Sequence, residues 1–209
     1  MNNSRINDNN GRYLPLVEEF YSIQGEGFNS GKAAYFIRLG GCDIGCSWCD
    51  SRFSWNPDLH PLVATEKIIN NVINCGTDSV VVTGGEPLMW NLNLLCDYLK
   101  KENIKTFIET SGAYPLSGSW DWICLSPKKN LPPLPEICTR ANELKIIVEN
   151  ESDFEWAEKY RALVSPQCIL YLQPEWRRFA EIIPDIVAFV KRTSKWNISL
   201  QVHKFMHIP

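Results

Sequence analysis

Three of the chain's eight cysteines, Cys42, Cys46 and Cys49, fall within eight consecutive residues, in the stretch Gly40-Gly41-Cys42-Asp43-Ile44-Gly45-Cys46-Ser47-Trp48-Cys49-Asp50-Ser51, while the other five are scattered singly. Three thiolates on one short loop make a ligand set. Cysteine thiolates hold iron–sulfur clusters, and a four-iron cube with three protein ligands keeps one iron open to a substrate or cofactor. Structural zinc is the competing reading, but it wants four closed ligands, usually as two paired motifs. No second Cys-x-x-Cys or His pair follows, and His60, which would complete a Cys3His site, stands alone before Pro61. Unliganded thiols are a third reading. A disulfide framework does not suit so few cysteines in a chain with no export signal.

The rest of the chain reads as a scaffold for that loop. Short β-rich runs recur at Ala34 to Leu39, Ser79 to Thr83, Thr106 to Glu109, Trp122 to Leu125, Glu143 to Val148, Ile169 to Leu172 and Asn197 to Val202. Helical patterns lie between several of them. Thr65 is expected to cap a helix running to Asn74, and Leu92, Leu95, Cys96 and Leu99 form the i, i+3, i+4, i+7 stripe of a second, over Asn91 to Glu102. Two more are expected over Ser152 to Leu163 and about Ile182 to Arg192, with Pro184 near the start of the latter. Tyr114 to Asp121 and the Pro-rich run Leu131 to Pro135 are poor helix material. The pattern predicts an α/β fold, a βα barrel with some of its helices trimmed away. Strand after strand then ends in polar residues, and in barrels the active site gathers at the C-terminal strand ends.

Length and composition set the bounds. With 209 residues, 44% of them hydrophobic and 22% charged, the chain suits one domain with a substantial core, over 13–209, behind a mobile polar tail at 1–12. A formal net charge of -3 and a pI near 5.7 give no electrostatic footprint for nucleic acid or an anionic membrane, so small molecules are the expected partners. No apolar run approaches the roughly 20 residues of a membrane span. A soluble, cytoplasmic protein with reduced thiols is expected.

Several motifs carry polar chemistry. In Thr83-Gly84-Gly85-Glu86-Pro87 the paired glycines would let a ligand lie against the backbone, and Glu86 would accept from an ammonium; an ordinary Gly-Gly turn is the plainer reading. Ser126-Pro127-Lys128 offers hydroxyl and ammonium donors or simply a solvated loop. Glu143 and Lys145 share one strand face, either the solvent side or a barrel interior where a charge needs a partner. Phe20 to Gly27 presents Gln24 and Glu26 beside open backbone, or is a flexible loop. Arg38, a lone charge in an apolar strand, is either edge-exposed or binds an anion, and its fork suits a carboxylate. At the end of the chain, a strand running nearly to the last residue would let the Pro209 α-carboxylate tuck into the site.

The Cys-x3-Cys-x2-Cys spacing, with aromatic Trp48 before the last cysteine, resembles that of the radical S-adenosylmethionine (radical SAM) enzymes. In order and spacing, FYSIQGEG (Phe20 to Gly27), FIRLGG (Phe36 to Gly41), TGGEPL (Thr83 to Leu88), ETSG (Glu109 to Gly112), SPK (Ser126 to Lys128), ELK (Glu143 to Lys145), Gln173-Pro174 and LQVHK (Leu200 to Lys204) together resemble the 7-carboxy-7-deazaguanine synthase family. The resemblance implies a partial (βα)6-type radical SAM barrel. It implies a 4Fe-4S cluster on Cys42, Cys46 and Cys49, SAM contacts from Trp48, Cys49, Asp50, Gly84, Gly85, Glu86, Ser126, Pro127, Lys128 and Gln173, and Mg2+ on Ser51, where many members have Thr. Substrate contacts would come from Ile23, Gln24, Gly25, Glu26, Arg38, Thr83, His203 and Pro209, with Arg38, Ser51 and His203 acting in the reaction. The reaction implied is conversion of a carboxylated tetrahydropterin to 7-carboxy-7-deazaguanine with loss of ammonia, SAM being regenerated. A homodimer and a flavodoxin-type reductant are likewise implied. A glycyl-radical activase, or a zinc-stabilised binding module, stays as the alternative.

Overall fold

The computed structural model describes residues 10–209. Residues 1–9, and with them most of the expected tail, lie outside it. Its last part is anchored: the Thr65 hydroxyl donates to the Gly11 carbonyl at 2.5 Å, and the Thr65 amide donates to Arg12 O at 2.8 Å.

One nine-stranded sheet organises the chain: β1 (Tyr13–Ile23), β2 (Ala33–Leu39), β3 (Leu62–Ala64), β4 (Ser79–Gly84), β5 (Lys105–Thr110), β6 (Trp122–Leu125), β7 (Glu143–Val148), β8 (Ile169–Pro174) and β9 (Trp196–Ile198), in the order β3-β1-β2-β4-β5-β6-β7-β8-β9. From β2 to β9 every neighbouring pair is parallel; β1 runs antiparallel to both β2 and β3. Helices α1 (Thr65–Cys75), α2 (Asn93–Lys101), α3 (Pro135–Arg140), α4 (Ser152–Arg161) and α5 (Phe179–Thr193) connect the strands. The connection from β5 to β6 holds no helix, and α3 has only six residues. This is the trimmed barrel that the sequence predicts.

The apolar runs of the parallel strands follow from burial on both faces. In β4, Val80 and Val82 face the helices and join a large outer core with Ile37, Leu39, Ile68, Leu95, Leu99, Ile108, Leu144, Ile146 and Leu172. Val81 faces inward, into a smaller cluster with Ala34 and Phe36, against which Phe20 and Phe107 pack. Each fully buried Ile or Leu contributes about 1.5–3 kcal/mol, so the outer core carries most of the stability. Two residues further along the strands the inward positions turn polar: Arg38 after Phe36, Thr83 after Val81, Glu109 after Phe107.

Three local expectations are corrected. Phe20 to Ile23 is the end of the 11-residue strand β1, not a flexible loop. Thr65 is the first helical residue and not a cap; its hydroxyl goes to Gly11 instead. The expected strand Asn197 to Val202 stops at Ile198, and Val202–Met206 forms a short helix, α6. Just past that strand Ser199 N still donates to Leu172 O at 2.9 Å, and its hydroxyl donates to Gln173 Oε1 at 2.7 Å and accepts from Gly27 N at 2.9 Å. Pro135 does open a helix, at a first-turn position where its missing N–H costs nothing.

The sheet's edge strands are β3 and β9. Between the two arms of the open barrel lies a seam, bridged by the segment after β1 meeting the segment after β9. Val202 N donates to Gly25 O at 2.8 Å, and the Ser22 hydroxyl donates to Pro209 O at 3.2 Å. No helix among the described residues is long and apolar enough to cross a membrane.

Candidate active site

A cavity of about 280 Å3 opens at the C-terminal ends of the parallel strands. It is lined by Ile23, Gln24, Gly25, Glu26, Arg38, Thr83, His203 and Pro209, and by the three loop cysteines with Trp48, Asp50, Ser51, Gly84, Gly85, Glu86, Ser126, Lys128 and Gln173. Among the residues expected at the site, Pro127 alone is not in this lining.

The cysteine loop leaves β2 and is tied to neighbouring segments by hydrogen bonds. Gly41 N donates to Ser54 O at 2.7 Å and Cys42 N to Trp55 O at 3.0 Å; Asn130 Nδ2 donates to the carbonyls of Ile44 and Gly45, and the Tyr114 hydroxyl donates to Asp43 at 2.5 Å. All three thiols are half-buried, and the Trp55 indole N–H points at Cys49 Sγ at 3.3 Å. Burial pushes the Cys42 thiol up to about 11 and raises Cys46 as well, with Lys128 opposing the latter. Three thiols on one loop suit the ligand set of an iron–sulfur cluster.

Gly84 and Gly85 do a different job from the one their motif suggests. A side chain on Gly84 would lie 2.5 Å from Leu39 N and 2.9 Å from its carbonyl carbon; one on Gly85 would lie 2.8 Å from Gly41 C and 2.9 Å from Cys42 Cβ. What occupies the glycines' open side is the root of the cysteine loop, held by Gly85 N to Leu39 O at 2.9 Å and Glu86 N to Gly41 O at 2.8 Å. Glu86 is only 1% exposed. Its Oε1 accepts from Leu88 N at 3.0 Å and the Thr110 hydroxyl at 2.6 Å, and its Oε2 from Ser111 N at 2.7 Å and the Ser111 hydroxyl at 2.5 Å. Its carboxylate is therefore already engaged, tying β4 to the end of β5.

On the cysteine side, Lys128 Nζ donates to the Ser126 hydroxyl at 2.7 Å and sits 5.5 Å from the centre of the Trp48 ring. Burial lowers the Lys128 ammonium's pKa, with Cys46 opposing. Gln173 is buried and fixed by Ser199. Asp50 accepts from Lys204 at 2.7 Å; burial would raise its carboxyl, but Lys204 more than offsets that and holds it low. The Ser51 hydroxyl reaches Asp50 at 3.3 Å.

Arg38 is neither edge-exposed nor unpaired: its Nε donates to Glu18 at 2.7 Å across the β1–β2 pair, and its side chain lines the cavity. Gln24 Nε2 donates to Glu109 Oε1 at 2.9 Å, while its Oε1 accepts from Glu26 N at 3.1 Å. Glu26 is ion-paired to Lys145 and accepts from Gln201 Nε2 at 2.9 Å. His203 packs on Gly25, where any side chain would lie 2.7 Å from its Cβ. Burial lowers the imidazole's pKa, with Glu26 pulling the other way.

Lys145, Glu109, Gln201 and Lys204 also line the cavity and went unassigned in the sequence. For Lys145 and Glu109 a signal existed, since strand alternation inside a barrel turns both inward. Gln201 and Lys204 fall within the LQVHK motif but took no role there, because their segment reads as strand and folds as a turn into α6.

Comparison with known proteins bears on this geometry. The sequence pattern of the Radical SAM superfamily matches residues 36–124. A 7-carboxy-7-deazaguanine synthase from Flavobacterium psychrophilum is 53% identical over 95% of this chain and 94% of its own length. One from Synechocystis is 44% identical over 93% of each chain. The crystal structure of QueE from Escherichia coli superposes with a TM-score of 0.81 at 29% identity, covering 94% of this chain and all of that one.

Proposed function

The chain belongs to the 7-carboxy-7-deazaguanine synthase family of radical SAM enzymes, and from that premise we propose that it converts 6-carboxy-5,6,7,8-tetrahydropterin to 7-carboxy-7-deazaguanine with loss of ammonia. The observation that carries the reading is the make-up of one cavity, lined both by three thiols with Trp48, Ser126, Lys128 and Gln173 and by a cation, Arg38, with carboxylates at Glu26 and Glu109. A substrate with a carboxylate at one end and an amino-pyrimidinone at the other matches those charges.

In this reading Cys42, Cys46 and Cys49 hold the 4Fe-4S cluster, and Asp50, Ser126, Lys128 and Gln173 orient SAM beside it. When bound, the cluster and SAM would supply hydrogen-atom abstraction at C6 and return of the hydrogen after ring contraction, with SAM regenerated. Arg38 grips the substrate carboxylate with the guanidinium edge not given to Glu18. The Ser51 hydroxyl would offer one oxygen ligand to Mg2+, and the ion would draw charge from the carboxylate next to the reacting carbon. Glu26, with Gln24 and the Gly25 backbone, takes the amino-pyrimidinone edge. His203, kept toward its neutral form by burial, closes the pocket with Pro209 and excludes water. The same reading includes a homodimer and a flavodoxin-type reductant, on family resemblance alone, and the cytoplasmic setting expected from the sequence.

The deciding experiment is anaerobic turnover of iron–sulfur-reconstituted protein with SAM, Mg2+, a reductant and 6-carboxytetrahydropterin, read by mass spectrometry, with Cys46→Ala as control. Deazaguanine carboxylate should form only with the intact cysteine. Formation of 5′-deoxyadenosine without that product would retire the substrate, and neither product from a folded, cluster-loaded protein would retire the reaction.

A further inference from the structure

The most deeply buried cation among the described residues has no task in the reaction above. Lys145 projects from β7 into the barrel with 4% of its surface exposed. Its ammonium is ion-paired to Glu26 and stands 3.7 Å from Glu109 Oε2. The other titratable groups facing it do not compete. Glu143, on the same strand, is occupied by Trp122 Nε1 at 3.0 Å and Phe28 N at 3.2 Å, and burial raises its carboxyl. Burial also raises the Cys124 thiol of β6 far above its ordinary value, lowers Lys128 beyond β6, and lowers His203 of α6, which faces Glu26. One ammonium is thus set against two carboxylates from different parts of the chain, the β1 loop and β5.

We propose that Lys145 is a positioning residue that keeps Glu26 and Glu109 together as hydrogen-bond acceptors on the cavity floor, and so selects a ring edge bearing N–H donors, a 2-amino-4-oxo edge, over one bearing a second carbonyl. The inference rests on the substrate reading above. Two carboxylates brought together in one half-buried pocket would by themselves tend to leave one protonated, because partial burial and mutual repulsion both disfavour the second charge. A protonated carboxyl turns a donor where an acceptor is required. The direction of the shifts agrees: burial acts to raise Glu26, and Lys145 with Gln201 brings it below its ordinary value. Gln24 fixes the remaining orientation, since its carbonyl is held by Glu26 N and its amide is thereby aimed at Glu109.

The test is calorimetric binding to anaerobically reconstituted, SAM-loaded protein of two unreactive probes, pterin-6-carboxylate and its 2-oxo counterpart lumazine-6-carboxylate, between about pH 5.5 and 8.5. Wild type should prefer the amino probe by about 10- to 100-fold. Lys145→Met should lose about tenfold or more in affinity for it at the acid end and recover part of that loss as pH rises and the carboxyl ionises; the probe's own titration cancels in the ratio to wild type. Lys145→Arg should keep the preference. If Lys145→Met fails to fold, Lys145→Met with Glu109→Gln removes the repulsion and should show the same pH-dependent deficit, because Glu26 is still buried without its cation. Wild-type preference and a pH-independent affinity ratio in either variant would overturn the role of Lys145. If wild type binds neither probe, the substrate reading fails and this inference with it.

Discussion

Gly85→Ala is the substitution that most directly tests how the cysteine loop is held. Gly85 does not sit at a positive φ, so with free space an added methyl would stabilise the fold by about 0.4–1 kcal/mol through the unfolded chain. There is no space: the new carbon would lie 2.8 Å from Gly41 C and 2.9 Å from Cys42 Cβ. Those atoms are backbone and the root of a side chain, and they cannot swing aside as a flexible side chain does. Overpacking of this kind costs about 1–3 kcal/mol. Pushing the strands apart also strains Gly85 N to Leu39 O and Glu86 N to Gly41 O, each worth about 1 kcal/mol. A net loss of about 2–4 kcal/mol follows, or roughly 5–15 °C in melting temperature for a chain of this size. The measurement is a thermal melt of cluster-free protein, paired with iron content after anaerobic reconstitution, because the displaced atoms belong to Cys42. Gly31→Ala is the control, at φ +87 with nothing within 4 Å of the added carbon; it carries only backbone strain of about 1–2 kcal/mol and should load iron fully. A Gly85→Ala protein that melts with wild type and binds a full complement of iron would refute the account.

Glu86→Gln places an amide N–H2 against hydrogen-bond donors from Ser111 or from Thr110 and Leu88; about 1–3 kcal/mol should be lost per donor left unpaired, read as a lower denaturant midpoint with unchanged slope. Arg38→Ala should weaken pterin-6-carboxylate binding by about 10- to 100-fold and leave iron content intact; unchanged affinity would remove Arg38 from the carboxylate role. Glu26, which burial would raise but Lys145 lowers on balance, adds stability that is full above its unfolded value and is lost as pH falls through its lower folded one. Glu26→Gln should therefore flatten the acid limb of the stability profile below about pH 4, and a limb as steep as wild type would show that other carboxyls govern it.

Much of this was legible in the sequence because parallel strands and motif loops are local signals. The runs at Ala34, Ser79, Thr106, Trp122, Glu143 and Ile169 each became a strand within a residue or two, and their polar ends line one cavity. β1 was hidden by a change of phase. Leu16 pairs with Leu39 and Glu18 with Arg38, so Val17 is an extra residue in the ladder. Before it, Leu14 and Leu16 face the outer core; after it, Glu18 meets Arg38 and Phe20 meets the inner cluster. One inserted residue exchanges the faces, and no single alternation spans the strand. The charges Glu18 and Glu19 in mid-strand hid it further. Lys145 was ambiguous for a related reason: alternation says that it shares a face with Glu143, but only closure of the sheet decides that this face is the interior. The C-terminal segment misled because Ile198, Leu200 and Val202 alternate as a strand does, while the polar residues between them answer to Gln173, Glu26 and Asp50 on distant parts of the chain.

The seam between the barrel's two arms has a further consequence for how such a site can change over time. Elsewhere the wall is a strand ladder, where altering the spacing of one strand disturbs its neighbours on both sides. At the seam the wall is a few contacts between Ser22, Gly25, Gly27, Ser199, Val202 and Pro209. Insertions or substitutions there can widen, narrow or recharge the mouth while the ladder keeps its register. Variation in substrate size among related chains should therefore collect at this joint, and the thiol loop across the cavity should stay as it is.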